Sequence, residues 1–249
     1  MTLCVMLPKA PDLAAPLIYK RMASNKQRQY NDLVQARKLC RACVGLKDLA
    51  YRGFNKFDSD EIGPWSRLHG DLNAKLLIVG QDWGGQQYYR EFKGLDDLDN
   101  PTMNNLQHLF AKIGMDVSTT TYAHQKRGLF LTNAILCLKS GGLQAKIDRS
   151  WLANCGERFL RKQIEIVSPM IVVGLGSDAF NAVLVSYGQK KMKLSDALLD
   201  KSGLPRSSAT RLLAAYHCGA GTINRNRDSK TQARDWNRIG LALRAETGA

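Results

Sequence analysis

Thiols and a few polar residues at the ends of apolar runs are where this sequence could do chemistry. Cys40 and Cys43 form a C-x2-C pair after a basic stretch, Cys137 closes the segment LFLTNAILC, and Cys155 lies in SWLANCGERFL. Thiolates are soft ligands, and such a pair with two dispersed cysteines suits a metal ion or an iron–sulfur cluster; spacing alone does not separate zinc from iron–sulfur. Four small buried hydrophobes would be the competing explanation, but it leaves the C-x2-C pair without a reason. Cys4 and Cys218 fall outside the set. A second group is polar: Gln81 and Asp82, Asn133, and His217 each stand at the end of a short apolar run.

Those runs are the elements that must position them. Lys75–Val79 ending at Gly80, Gly128–Leu136, Met170–Gly176 and Leu212–Tyr216 are continuous apolar segments, the pattern of strands buried on both faces. Helical patterns fall at Ser24–Leu39, with Ser24 as the expected N-cap, and at Asn104–Ile113, Trp151–Val167, Ser177–Tyr187 and Lys230–Arg244. Residues 188–210 are basic and resist assignment. The alternation predicts an α/β fold: a single three-layer domain with a central, mainly parallel four-stranded sheet flanked by helices. Residues 1–23 are expected to form an N-terminal arm and residues 24–249 the domain. In such sheets ligands sit at the carboxyl ends of the strands, which is where Gln81, Asp82, Asn133 and His217 fall. Gly174-x-Gly176 lacks the third glycine of a dinucleotide fingerprint, Ala179 standing there, and reads as a close strand-to-helix turn.

With 249 residues the chain can bury a full core, and 44% hydrophobic with 23% charged residues is a globular composition. A formal net charge of +14 favours a polyanionic partner through phosphate contacts and counterion release. Nucleic acid is a better match than an anionic membrane, because no long basic amphipathic helix is evident. Pro8, Lys9, Pro11 and Asp12 interrupt the first apolar residues, so neither a signal segment nor a membrane span is expected. A cytoplasmic monomer follows as the expectation, with thiols kept reduced and available to a metal.

Taken in order, GQDWGG (80–85), LTNAILC (131–137), VVGLGSDAF (172–180) and YHCGAGTINRNR (216–227), with the cysteine set, resemble the uracil-DNA glycosylase superfamily. The likeness covers residues 37 to 240 and is greatest to the iron–sulfur branches called families 4 and 5. Those place a C-x2-C before the first strand, a cysteine after a Thr-Asn motif and a fourth in the next helix. The resemblance implies Cys40, Cys43, Cys137 and Cys155 as ligands of a 4Fe-4S cluster, zinc being the alternative. Two motifs depart from the pattern. Gln81-Asp82-Trp83-Gly84 stands where those branches carry glutamate and then alanine-proline, and His217-Cys218-Gly219 stands where the superfamily has histidine-proline-serine.

What the resemblance implies is a monofunctional glycosylase that flips a uracil from single- or double-stranded DNA and hydrolyses its N-glycosidic bond. Breaking that bond builds positive charge on the sugar and negative charge on the base. Asp82 can stabilise the cation and orient water, and His217 can donate to the leaving base. Asn133 has the amide needed to read a uracil edge, and Gln81, Trp83 and Gly84 complete the base pocket. Ile223 is the candidate to fill the gap left by the flipped base, and Arg225 and Arg227 to hold phosphates. One of Tyr88, Tyr89 and Phe92 would stack on the base; Cys218 reads as a small residue filling a tight turn. A turn-capping Asp82, a backbone-satisfying Asn133 and a loop His217 would look the same in sequence; their shared placement on three strand ends favours a site. Other expectations remain open beside uracil: another deaminated base such as hypoxanthine or xanthine, or a non-catalytic DNA-binding module.

Overall fold

A computed structural model of the chain describes residues 14–43, 45–47, 60–63, 70–83, 85–93, 100–115, 128–139, 145–199, 210–219 and 227–248. Four parallel strands form the central sheet: β2 (Leu76–Gly80), β3 (Leu129–Asn133), β5 (Ile171–Leu175) and β6 (Arg211–Ala215), in the order β3-β2-β5-β6. A separate ribbon pairs β1 (Leu46–Lys47) antiparallel to β4 (Leu138–Lys139). The two-residue strands β1 and β4 have no periodicity to announce them, and the sequence expectation ended its second strand at Leu136, short of β4.

Strand alternation builds the layers. Leu77, Val79, Phe130, Val172, Leu212 and Ala214 face one side, and Leu76, Ile78, Leu131, Val173 and Leu213 the other, each in its own buried cluster. The first face is covered by α1 (Ala14–Leu39), by α4 (Arg149–Cys155) running through a π-helical turn (Gly156–Leu160) into α5 (Arg161–Val167), and by α6 (Ser177–Ser186). Its packing residues include Tyr30, Val34, Phe159, Ile164 and Phe180. The second face is covered by α3 (Pro101–Lys112) and α8 (Ser229–Thr247), through Leu106, Phe110, Trp236 and Ile239. Phe110 and Trp236 meet edge-on with ring centroids 5.1 Å apart. Two short helices complete the set, α2 (Gln86–Glu91) and α7 (Leu194–Leu199). This is the expected three-layer α/β sheet.

Helix α1 starts ten residues earlier than expected. Ala14, Leu17, Ile18, Lys20, Arg21 and Met22 are good helix formers, and Pro16 falls in the first turn, where its missing N–H costs nothing. Ser24 therefore lies inside the helix and is not its N-cap. Side-chain caps open other helices: Asn100 accepts from the backbone N–H groups of Thr102 and Met103 ahead of Pro101, and Asp228 accepts from the Thr231 N–H.

Chain order decides where the site lies. From β2 the chain moves outward to β3, and β5 and β6 are then laid down on β2's other side. The order switches between β2 and β5, and the helices that follow those strands cover opposite faces. In such sheets ligands bind outside the carboxyl ends of the strands at this switch, where Gln81-Asp82 follow β2, Gly176 follows β5 and His217 follows β6.

Candidate active site and cysteine pocket

Asn133 is the register partner of Gly80 at the ends of β3 and β2. Its side chain lies over that glycine: a Cβ on residue 80 would come within 2.0 Å of the Asn133 Oδ1. Gly80 is thus what lets the amide stand at the strand end. Among the described residues no side-chain hydrogen bond is formed by that half-buried amide. Its neighbour Thr132 points the other way and donates to Gln163 at 2.6 Å, a buried pair that fixes the end of β3 against α5.

Asp82 leaves β2 two residues past Gly80. Its Oδ2 accepts from the Gln81 Nε2 at 2.8 Å and from the Lys139 Nζ at 3.0 Å. Asp82 and Lys139 side chains are 7% and 3% exposed, so the ion pair is shielded from water. Gln81 is therefore turned onto the carboxylate. Trp83 is buried, packed with Tyr89 and Leu138 and so close over Gly63 that a Cβ there would strike its ring at 2.3 Å. It shapes the base of the loop from beneath. Tyr89 is fully buried and cannot stack on a base. Tyr88 and Phe92 remain, their rings 4.7 Å apart and both half-buried.

His217 hangs from β6 beside Gly176, whose φ of +85° and bare Cα bring the two turns together; a Cβ on Gly176 would lie 3.6 Å from the His217 Cβ. The Gly219 N–H donates to the His217 Nδ1 at 3.0 Å, which leaves the ring proton on Nε2. Burial lowers the imidazole pKa, and the negative charge of Asp82 opposes that shift. The turn is held from both flanking helices. Gln232 of α8 donates to the His217 carbonyl at 3.1 Å, and Asn105 of α3 donates to the Cys218 carbonyl at 2.9 Å. Cys218 is fully buried with its Sγ 3.6 Å from the Thr102 carbonyl, and burial pushes its thiol up to about 12. It fills the tight turn, as its small size suggested.

Arg227 sits where the chain returns from that loop. Its guanidinium makes two hydrogen bonds to Asp235, at 2.7 and 2.8 Å, and lies 4.8 Å over the Tyr216 ring. It closes the ends of the segment between Tyr216 and Arg227. Ile223, Arg225 and Gly84 lie outside the described residues.

The four cysteines come together where the chain runs on past the carboxyl end of β3 into β4. The β1–β4 ribbon carries the chain after Cys43 alongside the chain after Cys137, and Asn154 of α4 donates to the Ala42 carbonyl and to the Cys43 Sγ. Cys40, Cys43, Cys137 and Cys155 line one cavity of ≈ 120 Å³ with Arg37, Arg41 and Phe159, and none of them is in a disulfide. The Cys155 thiol donates to Cys43, which, with Asn154 and the nearby Arg158, lowers Cys43 to about 6 against the effect of burial. The same bond and then burial raise Cys155, while burial first and the neighbouring Cys40 second raise Cys137 to about 12. Among the described residues no three His, Cys, Asp or Glu side chains stand at metal-holding distance. Four thiols around one cavity nevertheless have the donor chemistry of a thiolate-bound metal or cluster.

A family model described as the uracil DNA glycosylase superfamily matches residues 68–239. The chain belongs to that superfamily. It is a glycosylase by membership, and Asp82, Asn133 and His217 all fall inside the matched span. The chain is also 26% identical, over 216 residues, to a protein of Pyrobaculum aerophilum named type-5 uracil-DNA glycosylase; the match covers 80% of this chain and 86% of that protein. Among the described residues no helix is long and apolar enough to cross a membrane. Lys139, which pairs with Asp82, is the residue that sequence reasoning missed here. Its only signal was a lysine two positions after Cys137 in an otherwise apolar run.

Proposed function

We propose that this glycosylase removes uracil from DNA, flipping the nucleotide into the crevice at the strand ends and hydrolysing its N-glycosidic bond. What supports this reading is that three chemistries stand at the carboxyl ends of one parallel sheet: the Asp82 carboxylate after β2, the His217 imidazole after β6, and the Asn133 amide over Gly80 at the end of β3. The similarity to a protein named for uracil supports that base. As the bond breaks, Asp82 stabilises the cationic sugar and orients the attacking water. His217, kept neutral by burial, donates its Nε2–H to the departing base and stabilises the charge building there. Asn133 reads the base edge, and Gln81 acts by steadying Asp82. Tyr88 or Phe92 stacks on the base, and a monomer with a charge of +14 is drawn to cytoplasmic DNA, with Arg225 on a phosphate and Ile223 in the emptied stack.

Cys40, Cys43, Cys137 and Cys155 would hold a 4Fe-4S cluster, or zinc in its place, and the bound group would cross-link α1, the β1–β4 ribbon and α4. The test is an oligonucleotide with one uracil, single- and double-stranded, followed by alkali. Strand cleavage lost in Asp82→Ala and Asn133→Ala establishes the reaction and its site. Full activity in both variants removes the site assignment. Release of hypoxanthine or xanthine but not uracil changes the substrate, and DNA binding without any release ends the enzymatic proposal.

A further inference from the structure

We infer that Lys139 is a positioning residue of the glycosylase site, holding the Asp82 carboxylate in its working orientation from the ribbon that also carries Cys137. This rests on the proposed excision reaction with Asp82 in its centre. Asp82 belongs to a loop, and a carboxylate on a loop turns freely unless it is held. Here one oxygen, Oδ2, accepts from both Gln81 and Lys139, which fixes the plane of the group.

Fold stability alone does not account for the pair. Burying two charges costs desolvation, and a well-packed apolar pair of the same volume commonly stabilises a fold as well or better. A lysine with 3% of its side chain exposed is an expensive choice unless the carboxylate beside it has a task. Lys139 is closed off from solvent and bonded to Asp82, so the role inferred for it is exerted through Asp82.

The lysine is itself held firmly. Lys139 is the register partner of Leu46 across the β1–β4 ribbon and bridges Gly85 on its other side. Gly85 closes the loop that begins at Gln81. The same short strand starts one residue after Cys137, whose thiol faces the cysteine cavity. The ribbon thus connects the cysteine pocket to the loop that carries Asp82. The ammonium also offsets part of the Asp82 charge, which by itself would weaken stabilisation of a cationic sugar. Orientation outweighs that loss, because misplacing a reacting group by about 1 Å costs on the order of 100-fold in rate.

The experiment compares Lys139→Met and Lys139→Arg with the wild type by single-turnover uracil excision and by affinity for an oligonucleotide carrying an uncleavable 2′-fluoro-deoxyuridine. Lys139→Met is expected to excise about 10- to 100-fold more slowly with affinity unchanged within about twofold, and Lys139→Arg to recover most of the rate. A merely structural lysine would lower rate and affinity together and gain nothing from arginine. If the Met variant folds poorly, the neutral pair Asp82→Asn/Lys139→Met replaces it. That double variant should excise at the rate of Asp82→Asn alone, and a further tenfold loss would overturn the assignment. A wild-type rate or a faster one in Lys139→Met overturns it too, leaving uracil excision standing. No excision by the wild type removes the proposed function and this role together.

Discussion

The Asn133 Oδ1 occupies the place where any side chain on Gly80 would begin, 2.0 Å from an added Cβ. The two residues face each other across the ends of β3 and β2, so the amide's position is set by the absence of a methyl group on the neighbouring strand. Gly80→Ala would push aside only the tip of one side chain. Excision should fall about 100-fold, as for other angstrom-scale displacements of a reacting or reading group, while thermal stability stays within a few degrees. Single-turnover rates alongside a melting curve check this, and an unchanged rate would show that Asn133 need not stand there.

Gly174 offers the opposite case. A Cβ on it would meet the Phe180 backbone, 2.4 Å from Cα and 2.7 Å from N, and backbone atoms cannot step aside as an amide can. Gly174→Ala should destabilise the fold by about 1–3 kcal/mol or more, the usual cost of overpacking. A urea titration should show a lower midpoint with unchanged slope.

His217 ties pH to stability. Burial lowers its pKa, so as pH falls below the ordinary imidazole value of about 6.5 the unfolded chain takes up a proton before the folded protein does. Stability from this group is fully present above that value and declines as pH falls toward the lower folded pKa. Asp82 opposes the shift, so Asp82→Asn should lower the His217 pKa further. Following the His217 ring signal by NMR through a pH titration in both proteins measures this; an upward movement would contradict the influence of the Asp82 charge on His217.

The cysteine pocket makes a compositional prediction. Cys43→Ser and Cys155→Ser should lose most of the bound metal, measured as iron, sulfide and zinc per chain, whereas Cys218→Ala should keep all of it. Cys218 is sealed in the turn after His217, against Thr102, far along the chain from the four that share the cavity. A broad visible absorbance that disappears with the first two substitutions decides for iron–sulfur; a colourless protein with one zinc per chain decides for the alternative.

Sequence by itself determined the strands, because a strand buried on both faces must be apolar at every position, and four such runs stand out: Leu76–Val79, Leu129–Leu131, Ile171–Leu175 and Leu212–Ala215. It also marked the polar residues that interrupt those runs at their ends, and the thiols, whose spacing packing alone does not require. It misplaced the start of α1, since a cap-forming serine is a local preference that continued helix formation overrides, and it missed β1 and β4, too short to show a period. Only the tertiary structure decided the partners. Asp82 and Lys139 are 57 positions apart, and nothing local in either segment records that a two-residue ribbon will bring them together. The same holds for Arg227, expected on a phosphate and found on Asp235 and Tyr216; Gln81, by contrast, finds its partner in its sequence neighbour Asp82. A charge in a sequence advertises that it needs a partner; which partner it finds depends on the path of the chain through space.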